Sequence, residues 1–137
     1  MPKMSPEETL AFLEEPHIAH LVTLRPDGSP HVAPVWYEYR NDEFLVIAME
    51  SAQKIKNLRV NSTASISVAS EDEPYRYVLA EGAMEIRDSG FDEVGPRIAG
   101  RYKGAKGGAV YAEELKREDK MLVLTMKPRR IVSYLSD

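Results

Sequence analysis

Cysteine is absent from the 137 residues, which excludes a disulfide framework and any thiolate zinc site. No hydrophobic run approaches the roughly 20 residues that a membrane-spanning helix needs. The opening MPKMSPEETL lacks the apolar stretch of a signal peptide, so a cytoplasmic protein with no membrane partner is expected. Excess positive charge is missing too: 18 Lys and Arg against 22 Asp and Glu give a net charge of −4, the wrong sign for binding a phosphate backbone, and nucleic acid is not an expected partner. There is no GxGxxG fingerprint or P-loop, since Gly104, Gly107 and Gly108 do not lie between a strand and a phosphate-binding lysine. Ser29, Ser51 and Ser70 sit in no nucleophile elbow, and no carboxylate pair stands at catalytic spacing. His17, His20 and His31 show no ligand spacing. Neither a hydrolase nor a metal site has positive support.

The chain does carry a regular succession of short elements, read as one domain over residues 1–137 with enough length to bury a core unaided. Ser5, Pro6 and Glu8 form a capping box for a first helix whose buried stripe is Leu10 and Leu13, and Pro16 ends it. Residues 18–24 and 31–39 read as strands of a hairpin closed by Pro26-Asp27-Gly28, followed across Arg40-Asn41-Asp42 by a strand over 44–49. A short helix over 52–60 leads to a strand over 64–69, and the first four strands read as near-sequential neighbours. Residues 75–87 form a long strand pattern in which Gly82 marks a bulge or bend. Residues 90–102 read as a helix with Phe91, Val94 and Ile98 on one face, and 103–108 as a mobile glycine-rich loop. One helical turn over 111–116 and strands over 121–126 and 131–135 complete the chain. The expected fold is mainly β (α+β), a six- to seven-stranded antiparallel barrel, closed or partly closed, with short flanking helices.

Candidate binding residues follow from chemistry. In FLVIAMESAQKIKNL a strand feeds a helix capped by Ser51, with Lys54 in its first turn, and unpaired N–H groups and the helix dipole favour an anion there. Ser51 as an ordinary cap with Lys54 and Lys56 as surface charges is the alternative. Lys54, Lys56 and Arg59 form one basic cluster, and Arg97, Arg101, Lys103 and Lys106 another, so a small anionic ligand fits an otherwise acidic chain. Pro34 lies mid-strand and places that strand at an edge or bulge, either as edge protection or as free backbone facing a flat heterocycle. Trp36 is either core or ligand contact, and Tyr75, Tyr77 and Tyr102 are either ordinary tyrosines or stacking partners for a planar ligand.

The order of elements from LVTLRPDGSPHVAPVWYEY through AQKIKNLRVNSTASISV to MLVLTMKPRRIVSYL resembles the split β-barrel flavoproteins related to pyridoxamine 5′-phosphate oxidase, and most of all their small deazaflavin-dependent branch. The resemblance implies a split barrel acting as a homodimer, with flavins in clefts between subunits. It implies backbone contacts from Pro34, Val35 and Trp36 to the flavin ring, with Ile47 and Ala48 touching ring and ribityl chain. Lys54 matches the lysine of the family's serine-arginine-lysine phosphate motif, whose serine and arginine are Ala52 and Gln53 here. The arginine and lysine flanking the flavin strand in the oxidases fall on Ala33 and Glu38. Those losses weigh against FMN, and coenzyme F420, with a phosphodiester and polyglutamate tail, suits a looser groove built from Lys54, Lys56 and either Arg101 or Lys103. The chain is also short for the segments that complete the pyridoxal-phosphate substrate site in the true oxidases.

The candidate cofactor-binding residues are therefore Pro34, Val35, Trp36, Ile47, Ala48, Ser51, Gln53, Lys54, Lys56, Tyr77 and Arg101. No side chain is assigned as catalytic and none to a metal. The expected function is a flavin- or deazaflavin-dependent oxidoreductase that transfers hydride between bound cofactor and a small planar substrate. A non-catalytic flavin or tetrapyrrole (haem or biliverdin) carrier on the same barrel is the alternative, as is a scaffold that has lost its ligand. A haem would require one of the histidines as axial ligand.

Overall fold

The computed structural model describes residues 2–136. Helix α1 (Pro6–Glu14) starts with the expected reciprocal cap: Ser5 Oγ accepts from the Glu8 N–H at 3.1 Å, and the Glu8 carboxylate accepts from the Ser5 N–H at 2.8 Å. Its buried side is Phe12 and Leu13, while Leu10 is exposed, contrary to expectation. Its last turn is anchored by Tyr37, whose Oη donates to Leu13 O at 2.9 Å.

Strands β1 (Ala19–Leu24) and β2 (Pro30–Val35) form the expected hairpin, with Gly28 at φ 88° and the Asp27 carboxylate accepting from the Ser29 N–H and hydroxyl. The strand expected over 31–39 breaks at Trp36–Tyr37. Its second half, β3 (Glu38–Arg40), pairs with β4 (Glu43–Met49) through a tight turn in which Asn41 and Asp42 both have positive φ. This break brings the number of strands among the described residues to eight.

After α2 (Gln53–Val60) come β5 (Thr63–Ala69) and β6 (Arg76–Arg87), then α3 (Phe91–Glu118), β7 (Met121–Met126) and β8 (Arg130–Leu135). The strand order is β2-β1-β5-β6-β7-β4-β3, with β8 also on β6. β4 therefore pairs with β7, not with the early hairpin, so the first four strands are not all neighbours. β2 is an edge strand, and the missing N–H of Pro34 leaves no gap in the ladder. β6 belongs to two sheets: residues 76–83 pair with β8 and β5, residues 84–87 with β7. Gly82 sits at this changeover, where a Cβ would lie 3.0 Å from Lys127 O. The antiparallel sheet curls there into a split barrel of the α+β class.

The interior is filled by Phe12, Leu21, Tyr37, Phe44, Ile66 and Leu124, among others. α3 covers the other face of β4 and β7 through Phe91, Val94, Ile98 and Ala112, so β7 is buried along its whole length. The glycine-rich stretch is not a loop. α3 runs through it, kinked at Gly104 (φ 80°, ψ 161°), and the segments on either side fold against each other where Gly108 meets the backbone of Gly100 and Ala99. Among the described residues no helix is long and apolar enough to cross a membrane.

A Cβ at Gly108 collides with backbone that no rotamer change relieves. Gly108→Ala is expected to lower stability by about 1–3 kcal/mol in urea unfolding, as overpacking does. A loss of less than half a kcal/mol contradicts the close crossing.

Candidate functional site

A cleft of about 390 Å³ opens where the ends of β2 and β4, the start of α2 and the second segment of α3 converge, a size within the range of small-molecule sites. Pro34, Val35 and Trp36 form one wall. Among the described residues β1 is the only neighbour of β2, which leaves the outer backbone edge of β2 open here. Ile47, Ala48 and Met49 form a second, apolar wall, and Ala52 and Lys54 bring in α2. Tyr111 and Leu115 close the side formed by α3.

The break between β2 and β3 that shapes this cleft is held from α3. The Tyr102 hydroxyl accepts from the Tyr37 N–H at 3.1 Å and donates to His17 O at 2.8 Å. Trp36 stacks on the Tyr102 ring with centroids 4.7 Å apart and planes 7° from parallel, and Tyr111 tilts against the indole at 5.3 Å. Burial pushes the Tyr102 and Tyr37 phenols above their ordinary pKa, which keeps both as hydrogen-bond donors. Glu38 is buried and paired with Arg97, whose guanidinium grips both carboxylate oxygens at 2.8–2.9 Å. That pair pins α3 to β3.

The start of α2 differs from expectation. Ala52 is the N-cap and offers no side-chain oxygen, whereas Ser51 donates its N–H and hydroxyl to the Asp119 carboxylate just past α3. Those bonds hold the Asp119 carboxyl below its usual pKa. The first-turn N–H groups of α2 are left without a side-chain cap, beside Lys54. Lys54 is half-buried, and its ammonium makes no ion pair or hydrogen bond among the described residues. Burial without a partner pushes its pKa down. A cation, uncapped N–H groups and flat apolar walls together can hold an anionic group attached to a planar ring system.

Six of the candidate residues line this cleft: Pro34, Val35, Trp36, Ile47, Ala48 and Lys54. The other five do not. Ser51 is tied to Asp119, and Gln53 donates to Asn57 Oδ1 at 2.9 Å. Lys56 is exposed on α2. Tyr77 stacks on Tyr134 across β6 and β8, 5.1 Å between centroids. Arg101 donates to the carbonyls of Leu13, Glu14 and Glu15 at the end of α1 and lies over the Tyr37 and Tyr102 rings.

Tyr111, Leu115 and Asn57 were not singled out from sequence. The spacing of Tyr111 and Leu115, four residues apart on a helix, was the available signal for the α3 wall. Asn57 is buried and donates to Thr23 Oγ1 at 3.0 Å, locking α2 to β1. A polar residue between Ile55 and Leu58 is the mark of such a lock.

The family model for pyridoxamine 5′-phosphate oxidase matches residues 5–133. The F420H(2)-dependent biliverdin reductase of Mycobacterium tuberculosis (strain CDC 1551 / Oshkosh) is 33% identical over 102 residues, 71% of this chain and 72% of that protein. A crystal structure of a conserved hypothetical protein from Mycobacterium tuberculosis superimposes with a TM-score of 0.84 at 26% identity, covering 96% of this chain and 85% of the other. A structure named F420 reductase gives a TM-score of 0.72 at 25% identity, covering 88% and 93%. With nearly the whole chain matched, and the barrel changeover at Gly82 and the β2–β4 cleft in place, the protein belongs to the pyridoxamine 5′-phosphate oxidase family.

Proposed function

We propose that the protein is a homodimeric F420-dependent reductase of a planar, conjugated acceptor, with the cofactor ring along Pro34–Trp36 and Ile47–Met49 and its phosphodiester at the start of α2. The observation that carries this reading is Lys54, a half-buried cation with no partner among the described residues at an uncapped helix N-terminus. One lysine suits the single charge of a phosphodiester better than the near-double charge of the FMN monoester. The similarity to proteins named F420H(2)-dependent biliverdin reductase and F420 reductase points the same way and makes a linear tetrapyrrole the first acceptor to try.

The residues fit such a group: Ile47, Ala48 and Met49 give an apolar floor, and Trp36, immobilised by Tyr102, gives a rigid rim. A reduced deazaflavin held there would supply the hydride for the acceptor, with the completing proton drawn from solvent. Lys54 and the first-turn N–H groups of α2 fix the charged arm, while Leu115 and Tyr111 exclude water from the ring's surroundings. Lys54 is the only charged residue in the lining, so binding and orientation are what the protein contributes. No histidine lines the cleft to serve a haem as axial ligand.

Titration of F420 against tryptophan fluorescence is expected to show binding that Lys54→Met weakens by about tenfold or more, the worth of a charge-assisted bond of ~1.5–3 kcal/mol. The same variant is expected to keep or raise the melting temperature of the ligand-free protein, because Lys54 there is a desolvated charge without compensation. No binding of F420 or FMN would falsify the reading. Affinity for F420 should also depend on pH with a definite sign. The protonated lysine binds the anion, and its pKa in the free protein is depressed, so affinity is full at neutral pH and falls on the alkaline side, starting below the ordinary lysine range. Loss of this alkaline limb in Lys54→Met is expected; an unchanged limb assigns it to another group.

A further inference from the structure

Tyr111 forms part of two adjoining concavities. One is the cleft described above; the other is a depression of about 620 Å³ along the second segment of α3, whose polar lining is Lys103, Lys106 and Glu114. Lys103 Nζ lies 5.3 Å above the Tyr111 ring, so this cation rests on the residue that separates the two spaces. Neither the Lys103 nor the Lys106 ammonium makes an ion pair or hydrogen bond among the described residues, whereas Lys116, farther along the helix, is matched to Asp92 and Glu113. The backbone makes room for them: the kink at Gly104 lies between the two lysines, and a side chain at Gly107 would press on Lys103, its Cβ 3.3 Å from the lysine Cβ. In a chain of net charge −4, two unpaired lysines facing one glutamate beside an aromatic wall form a local cationic site.

We propose that this depression is the carboxylate-binding part of the acceptor site: a planar conjugated acceptor lays its ring system against Tyr111 and places its acidic side chains on Lys103 and Lys106. The inference rests on the reductase reading and names its substrate class as anionic. Carboxylates reach such a site from two sources, the acceptor or the cofactor's glutamate tail. The acceptor is favoured because the lysines adjoin the Tyr111 ring, an aromatic face that suits a planar conjugated molecule and has no role for a flexible glutamate tail.

The experiment measures binding of biliverdin and of biliverdin dimethyl ester, without cofactor, to the full-length protein and to Lys103→Ala/Lys106→Ala, with F420 titrated separately into both. Both lysines are exposed, so the double variant is expected to fold, which circular dichroism verifies. The expected result is that the native protein binds the diacid more tightly than the ester, and that the variant loses about tenfold in affinity for the diacid but less than twofold for the ester and for F420. Equal affinity for diacid and ester, or an equal loss of both in the variant, overturns the proposal. So does a loss confined to F420, which assigns the lysines to the cofactor tail. Failure of F420 to bind the native protein overturns the reductase reading separately, since the diacid and ester arms use no cofactor.

Discussion

The hydrogen bond from the Tyr37 N–H to the Tyr102 hydroxyl makes the cleft possible. A strand that stops pairing in a buried position leaves an N–H whose desolvation costs about 1–3 kcal/mol unless something accepts from it. Tyr102 supplies that acceptor and donates its own O–H to His17 O, so the chain can leave one sheet at Val35 and enter the other at Glu38. The same side chain stacks on Trp36 and carries Arg101 above it, which in turn closes the carbonyl end of α1. Strand break, cleft rim and helix terminus therefore share one support, and α3 is the element that provides it.

Local chemistry explains what was legible in the sequence. The α1 capping box, the Asp27–Gly28 turn and the Asn41–Asp42 turn each follow from interactions within a few residues, and the strands follow from alternation. Features set by distant partners were not readable. Trp36–Tyr37 continues a good strand pattern, and only Tyr102, 65 positions away, interrupts it. Ser51 is a favourable cap by propensity, but Asp119 competes for it with a charged acceptor. The glycines at 104–108 suggest a loop because glycine disfavours helix, yet at a close helix crossing their missing side chains are what allow the approach. The strand residues of the candidate site lie together because β2 and β4, though not paired with each other, end at the same cleft. Tyr77 and Arg101 lie elsewhere because stacking on Tyr134 and the α1 carbonyls engage them.

The electrostatics of the cleft are sparse, and that sparseness carries functional meaning. Glu38 forms a buried pair with Arg97 that serves the packing of α3 and adds no net charge to the cleft. Ala52 cannot cap α2 with a side-chain oxygen, and Gln53 is engaged with Asn57. Lys54 is left as the single cation, with its charge destabilised by burial. Among the described residues the lining therefore offers charge at one place, beside the start of α2, and flat apolar walls elsewhere.

A crystal structure of the protein with F420 tests this account most directly. The expected result is a deazaflavin ring along Pro34–Trp36 and a phosphate oxygen within hydrogen-bonding distance of Lys54 Nζ and the first-turn N–H groups of α2. A phosphate placed elsewhere, with Lys54 still unpartnered, contradicts it.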